Sequence, residues 1–110
     1  MKTQQPVLTT SVVALADLPR YRFAGFNGAL CTAGAKALGT VQADTEADNV
    51  APVTVLGICL ITAGGAVAAG VEVESDASGQ AVTLATGKPN GITLDAATAA
   101  GDVIRIVRGI

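Results

Sequence analysis

"NVAPVTVLGICLITAGGAVAAGV", residues 49–71, carries no charged side chain from end to end. A run this long meets the length requirement of a membrane-spanning helix, about 20 residues. Its content points elsewhere. Pro52 stands near its start, Gly57, Gly64, Gly65 and Gly70 interrupt it, and it lacks the flanking basic cluster and aromatic belt that border spanning helices. On either side of Gly57 lie Val53-Thr54-Val55-Leu56 and Ile58-Cys59-Leu60-Ile61, and short apolar, β-branched runs between glycine turns read as strands. The stretch is therefore a pair of core strand segments followed by an alanine-glycine corner, and no membrane contact is expected.

The same rhythm continues outward. Val71-Glu72-Val73-Glu74 alternates, Ala81-Val82-Thr83-Leu84 follows a Ser78-Gly79 turn, "GKPNG" (87–91) holds a Pro-Asn-Gly turn, and Ile92-Thr93-Leu94 and Val103 to Val107 come after it. Short runs between turn residues predict a mainly β fold, a small barrel-like or sandwich domain. A weak repeat supports this: "AGAKALGTVQADTEAD" (33–48) aligns with "AGGAVAAGVEVESDASG" (63–79), and "ATAAGDVIRI" (97–106) is a partial third copy. Each reads as an alanine-rich corner or short helix, a glycine free to adopt a left-handed backbone, and a strand. Gly101-Asp102 is then a turn into the last strand. Arg105 and Arg108, three apart on that strand, fall on opposite faces, so at least one should meet solvent or a neighbouring subunit.

Residues 1–20 differ from the rest, with glutamines, hydroxyl residues, Pro6, Pro19 and no glycine before Gly25. They read as an extended N-terminal arm or edge strand ahead of a single β domain over 21–110. Gln4, Gln5, Thr9, Thr10 and Ser11 break any apolar core of a signal peptide. Half the residues are apolar, yet mostly Ala and Val; Tyr21, Phe23 and Phe26 are the aromatics and Trp is absent. Such side chains fill a shallow core that leans on neighbouring subunits.

The chemistry-bearing residues exclude much. The net charge is −2, with seven Lys and Arg spread along the chain, which argues against nucleic acid, as does the lack of an aromatic row for base stacking. Without histidine the usual base of a Ser or Cys triad is missing. Two cysteines and scattered carboxylates do not make a zinc set, and Glu72, Glu74 and Asp76 read as a solvated strand face rather than a calcium loop. Asp95 and Asp102 are expected to cap turns. Cys31 and Cys59 allow either a disulfide or two buried thiols, the latter being expected. No catalytic residue, metal or cofactor is expected. One alternative keeps a specific residue: "AVAAGVEVESDASGQAVT" has the strand and corner rhythm of biotinyl and lipoyl carrier domains, with Lys88 of "ATGKPNG" at a hairpin tip, though Pro89 follows the lysine directly. A small-ligand-binding β domain is the wider form of that alternative.

The order and spacing of Gly57, Ala69-Gly70, Asp76 to Gly79, Gly91-Ile92-Thr93-Leu94 and Ala99-Ala100-Gly101-Asp102 resemble the capsid decoration or cement proteins of tailed bacteriophages. That resemblance implies a non-enzymatic virion protein, made in the host cytoplasm, that binds the outer surface of the capsid and stabilises the shell. It implies the major capsid protein as partner, a homo-oligomer, with a trimer favoured, and an N-terminal segment laid on the shell, which makes Gln4, Gln5, Pro6, Val7 and Leu8 candidate contacts. The residues themselves add Arg20, Tyr21 and Arg22, because Tyr and Arg are enriched at interface hot spots. Phe23 and Phe26 are either part of that patch or the largest core side chains.

Overall fold

The uncharged stretch opens as one long strand that organises the others. The computed structural model describes residues 4–109. Their strands are β1 (Gln5–Val13), β2 (Phe23–Ala24), β3 (Gly39–Val41), β4 (Val50–Thr62), β5 (Glu72–Ser75), β6 (Ala81–Thr83), β7 (Gly91–Thr93) and β8 (Val103–Arg108). No helix among the described residues is long and apolar enough to cross a membrane. The alanine-rich corners, open as short helices on sequence grounds, are turns and bends. They gain their order from each other: Val67 N–H donates to Ala97 O and Ala97 N–H to Val67 O, at 3.0 and 2.8 Å. Gly101, at φ +95°, turns the chain into β8 as expected.

β4 is the hub. β1 runs antiparallel to it from Val13↔Val50 to Gln5↔Ile58. β3 pairs with it at Thr40↔Thr54 and Val41↔Val53, and β8 from Gly57↔Arg108 to Thr62↔Val103. Thr54 and Ile58 thus each have two partners, so β1 holds one edge while β3 and β8 succeed each other along the opposite one. The sheet continues from β3 to β2 and from β8 through β7 and β5 to β6.

Hydrogen bonds from Tyr21 show how far β4 coils. Its N–H donates to Val41 O and its carbonyl accepts from Thr62 N–H, at 2.7 and 2.8 Å. Val41 pairs with Val53, nine positions from Thr62, a span of about 30 Å on a straight strand. One residue can join both only if β4 curls. With Phe23 N–H donating to Gly79 O and a parallel bridge at Ala63↔Ala81, the antiparallel sheet becomes a nearly closed barrel. The corner is Gly57, at φ +108°. A Cβ there would lie 2.5 Å from Gln5 O and 2.7 Å from Val7 N, because β1 shifts register between Pro6 and Leu8 at this point.

The two halves of β4 serve different cores. Cys59 and Ile61, with Ala63 just beyond the strand, join Phe23, Val73, Ile104 and Ile106 in the barrel. Ala51 and Val53 join Ala14, Leu18, Ala24 and Val41 in a second cluster. Over residues 4–20 the chain is therefore no free arm: Gln5–Val13 is an edge strand, and Ala14 and Leu18 are buried, 0% and 1% exposed. The acidic strand face is also different from expectation. Glu74 is buried, its Oε1 accepting from Ala85 N–H at 3.0 Å, because the backbones of Gly34 and Gly87 close over it.

β8 splits its two arginines between faces. Arg105, half-exposed with Val103 and Val107, makes a two-pronged ion pair with Asp95 through Nε and Nη2, both at 3.0 Å. Arg108 turns inward where β3 and β8 both leave the edge of β4. Its Nε donates to Val55 O at 2.9 Å, Nη1 to Asn90 O at 3.0 Å, and Nη2 to Ala37 O and Leu38 O at 3.1 and 3.3 Å. Burial lowers its pKa, opposed by the thiols of Cys59 and Cys31. Both cysteines are free and buried, and burial raises both thiols. Beside Cys59, Thr40 and Thr54 face each other across β3 and β4 with hydroxyls fully buried and no hydrogen-bond partner of ordinary geometry. The Cys59 thiol is close enough to Thr40 to be favoured as thiolate, though only against the larger effect of burial.

Candidate functional site

β1 is the exposed element of this fold. Apart from half-buried Val12, each of its residues is exposed, and none is charged. Among the described residues no strand pairs with its outer edge. Natural edge strands are commonly shielded by charge, particularly lysine, or by proline and bulges; β1 has Pro6 and a register shift near its start and no charge along its length. Cross-strand pairing with β4 leaves Leu8 and Leu56 side by side, 48% and 37% exposed, and Val7 protrudes at 80%.

The two predicted contact groups meet on one edge of β4. Gln4 is half-buried, its Oε1 accepting from Leu60 N–H at 3.3 Å, and Tyr21 O accepts from Thr62 N–H two residues on. Amides two apart on a strand point to the same edge, so Gln4 to Leu8 and Tyr21 lie along a single seam. Arg20 sets its guanidinium 5.0 Å from the centre of the Tyr21 ring, a cation–π contact, while its N–H donates to Asp44 Oδ1 at 2.8 Å. Arg22 Nη1 reaches Ser78 O at 3.0 Å, tying the seam to the turn between β5 and β6. Tyr21 holds a left-handed backbone, φ +61°, unusual for a bulky side chain. Its main chain closes the barrel while its half-exposed ring carries Arg20.

The aromatic pair that sequence left open divides: Phe23 is fully buried and Phe26 is 69% exposed at the tip of a turn. Sequence reasoning passed over its neighbours. Leu15 N–H donates to Gly28 O, bringing Leu15 alongside that turn, and Val13 and Val50 face each other across β1 and β4. All three are more than 60% exposed, at 65%, 63% and 64%. The sequence signal available was an apolar residue beside charges outside any alternating run, as with Leu15 before Asp17.

Lys88 does not sit at a hairpin tip. β6 and β7 both pair with β5 and not with each other, so residues 84–90 cross the end of β5. The backbone there is pinned, Lys88 N–H donating to Gly34 O at 2.9 Å and Lys36 Nζ to Pro89 O at 2.8 Å. A carrier lysine needs a projecting tip, and this loop is folded back.

Comparison with known proteins agrees with the fold. The N base of the head fiber gp8.5 in bacteriophage phi29 superposes with a TM-score of 0.76 over 93% of each chain, at 16% sequence identity, so the likeness is one of fold. No curated protein matches the sequence. A family model described as phage cement protein matches residues 1–108. The chain belongs to the phage cement protein family and is a virion structural protein.

Proposed function

We propose that this protein is a capsid decoration protein: it binds the outer surface of the phage shell, contacts the major capsid protein through the seam formed by Gln4 to Leu8 and Arg20 to Arg22, and stabilises the shell without catalysing a reaction. The observation that carries this reading is β1, an uncharged strand exposed along nearly its whole length with an outer edge that no described strand covers. Such an edge gains affinity by adding a strand from a partner, since main-chain hydrogen bonds supply the binding and exposed side chains the selectivity. Arg20, Tyr21 and Arg22 border the seam with the residue types that anchor interfaces. The thin Ala and Val core suits a homo-oligomer, a trimer by family resemblance, whose subunits gain stability by association. Nucleic acid and membrane are not its partners in this reading, and its place is the virion exterior after synthesis in the host cytoplasm.

The test is co-sedimentation of the purified full chain with expanded and unexpanded shells, together with the melting temperature of the shells. Binding with a raised shell melting temperature is expected. Leu8→Lys with Thr10→Lys, both at exposed positions of β1, should leave the fold cooperative and weaken binding strongly. No binding to shells in any maturation state, or full binding by that double variant, overturns the reading.

A further inference from the structure

Two of the three asparagines in this chain, Asn27 and Asn90, stand directly before a glycine. An asparagine carboxamide can be attacked by the main-chain nitrogen of the residue that follows it, and glycine obstructs that approach least because it carries no side chain. The third asparagine, Asn49, precedes Val50, whose branched side chain crowds the nitrogen. The same reactive dipeptide therefore occurs twice, and the fold treats its two copies in opposite ways.

Asn90 is buried, 2% exposed. Its Oδ1 accepts from Ala37 N–H at 2.9 Å and its Nδ2 donates to Ala35 O at 3.0 Å, so both ends of the carboxamide are bound to the segment before β3. Its N–H donates to Val73 O, its carbonyl accepts from Arg108 Nη1, and Gly91 is fixed in β7 between β5 and β8. Bringing this carboxamide onto Gly91 N would break both side-chain bonds.

Asn27 is exposed, in the turn closed by the bridge Ala24↔Leu30. Its Oδ1 accepts from Ala29 N–H at 3.1 Å. That bond closes a ring in which Gly28 N is a member, so it keeps the carboxamide carbon near that nitrogen. It also sets a donor on the oxygen where negative charge develops during attack. Gly28 N–H points at Gly25 O from 3.5 Å, too far to hold it firmly. The glycine is itself demanded by the fold: its φ is +88°, and a Cβ there would collide with Val13 O. Packing against the end of β1 buries Gly28 and excludes every residue whose side chain would shield the attacking nitrogen.

We propose that Asn27-Gly28 is a modification site, at which the folded protein converts Asn27 through a cyclic imide to aspartate and isoaspartate, while Asn90-Gly91 stays intact. As the weakly closed turn opens, hydroxide takes the proton of Gly28 N–H and becomes water. Gly28 N then bonds to Asn27 Cγ, the Cγ–Nδ2 bond breaks, and the leaving nitrogen takes a proton from water to depart as ammonia. Water adds to either carbonyl of the imide and reopens it. The net change consumes one water, releases one ammonia and involves no oxidation. Each product sets a new carboxylate beside exposed Phe26, and isoaspartate lengthens the main chain by one carbon next to Gly28, whose carbonyl accepts from Leu15 N–H.

The test follows both dipeptides in one sample. The full chain is kept folded at mildly alkaline pH, and in parallel unfolded in guanidinium chloride, over several weeks. Samples are digested at acidic pH and mapped by mass spectrometry, with isoaspartate counted by enzymatic methylation. In the fold, the peptide holding Asn27 should gain one mass unit at least roughly tenfold faster than the peptide holding Asn90, whose two side-chain bonds must first break. In guanidinium the two should convert at similar rates. Asn27→Gln, checked for an unchanged fold by circular dichroism, should lose the fast conversion. An Asn27 that stays intact in the fold, an Asn90 that converts as fast beside it, a rate difference that persists undiminished in guanidinium, or an unchanged mass gain in Asn27→Gln overturns the inference.

Discussion

Replacing Arg108 by methionine should produce one of the largest stability losses available in this chain. The guanidinium serves four carbonyls, those of Val55, Asn90, Ala37 and Leu38, at 2.9 to 3.3 Å. These belong to β4, to the segment before β7 and to the segment before β3; the last two are also tied by the Asn90 side chain to Ala37 N–H and Ala35 O, and Arg108 adds β4 to that pair. Hydrogen bonds to a charged group contribute about 1.5–3 kcal/mol each in isolation. They do not sum freely here, since burial disfavours the charged guanidinium, as its lowered pKa indicates. Methionine keeps most of the stem, removes that desolvation cost and leaves four carbonyls without donors. The net loss, judged against removal of one partner from a buried charged cluster, is about 3 kcal/mol. For a domain of this size that is roughly 12–24 °C in melting temperature. Arg108→Lys, with three donors at one point rather than a planar fork, should recover less than half. Urea titration at fixed protein concentration measures it. A shift below about 1 kcal/mol, with the denaturant slope unchanged, would refute the claim that Arg108 holds the notch between β3 and β8.

Other outcomes follow from the same geometry. Gly57→Ala places a methyl against Gln5 O and Val7 N at a left-handed φ; a loss of about 2 kcal/mol or more is expected, with β1 amides exchanging faster than those of β8, and equal protection of both strands would contradict the corner assignment. Thr40→Val and Thr54→Val each remove a buried hydroxyl without an ordinary partner and should raise stability by about 1 kcal/mol, read as a higher urea midpoint. Cys31 and Cys59 have thiol pKa values raised in the fold, so the folded state keeps these protons while the unfolded chain releases them. Their contribution is complete below the unfolded thiol pKa and is lost as pH rises from there through the folded values, at up to about 1.4 kcal/mol per pH unit and thiol. Stability should fall over that alkaline window, and a Cys31→Ala, Cys59→Ala variant should show a shallower fall; identical slopes would sink the argument.

Periodicity made β5 to β8 and both halves of β4 legible, because alternation and glycine turns are local signals. The barrel closure was not, since it depends on Tyr21 bonding to residues of two strands far from it in sequence. Val53–Leu56 and Ile58–Ile61 read as two segments because glycine ordinarily interrupts a strand; here β1 pairs across the corner and keeps β4 continuous. Glu74 read as solvated by alternation, which says nothing of loops closing over a strand from elsewhere. Among the exposed side chains, composition singled out Tyr21 and the arginines. Phe26 and Leu15 needed the fold, because an exposed and a buried phenylalanine look alike in a sequence of this kind. β1 itself was visible as an edge element from Pro6 and its hydroxyl residues, whereas the burial of Ala14 and Leu18 was not.

The pairing of β1 with β4 has a mechanical meaning. Gln5 lies opposite Ile58 and Val13 opposite Val50, and the chain beyond Val13 is at once fastened by Ala14 N–H to Asn49 O at 2.8 Å. Tension on the N-terminal end directed along β1 would therefore act across ladder bonds that lie perpendicular to the pull. The rungs share such a load together, in shear, whereas a pull outward from the sheet would open them one after another. If the proposed attachment through β1 holds, strain directed along the bound surface would meet the subunit in the direction in which its ladder is strongest.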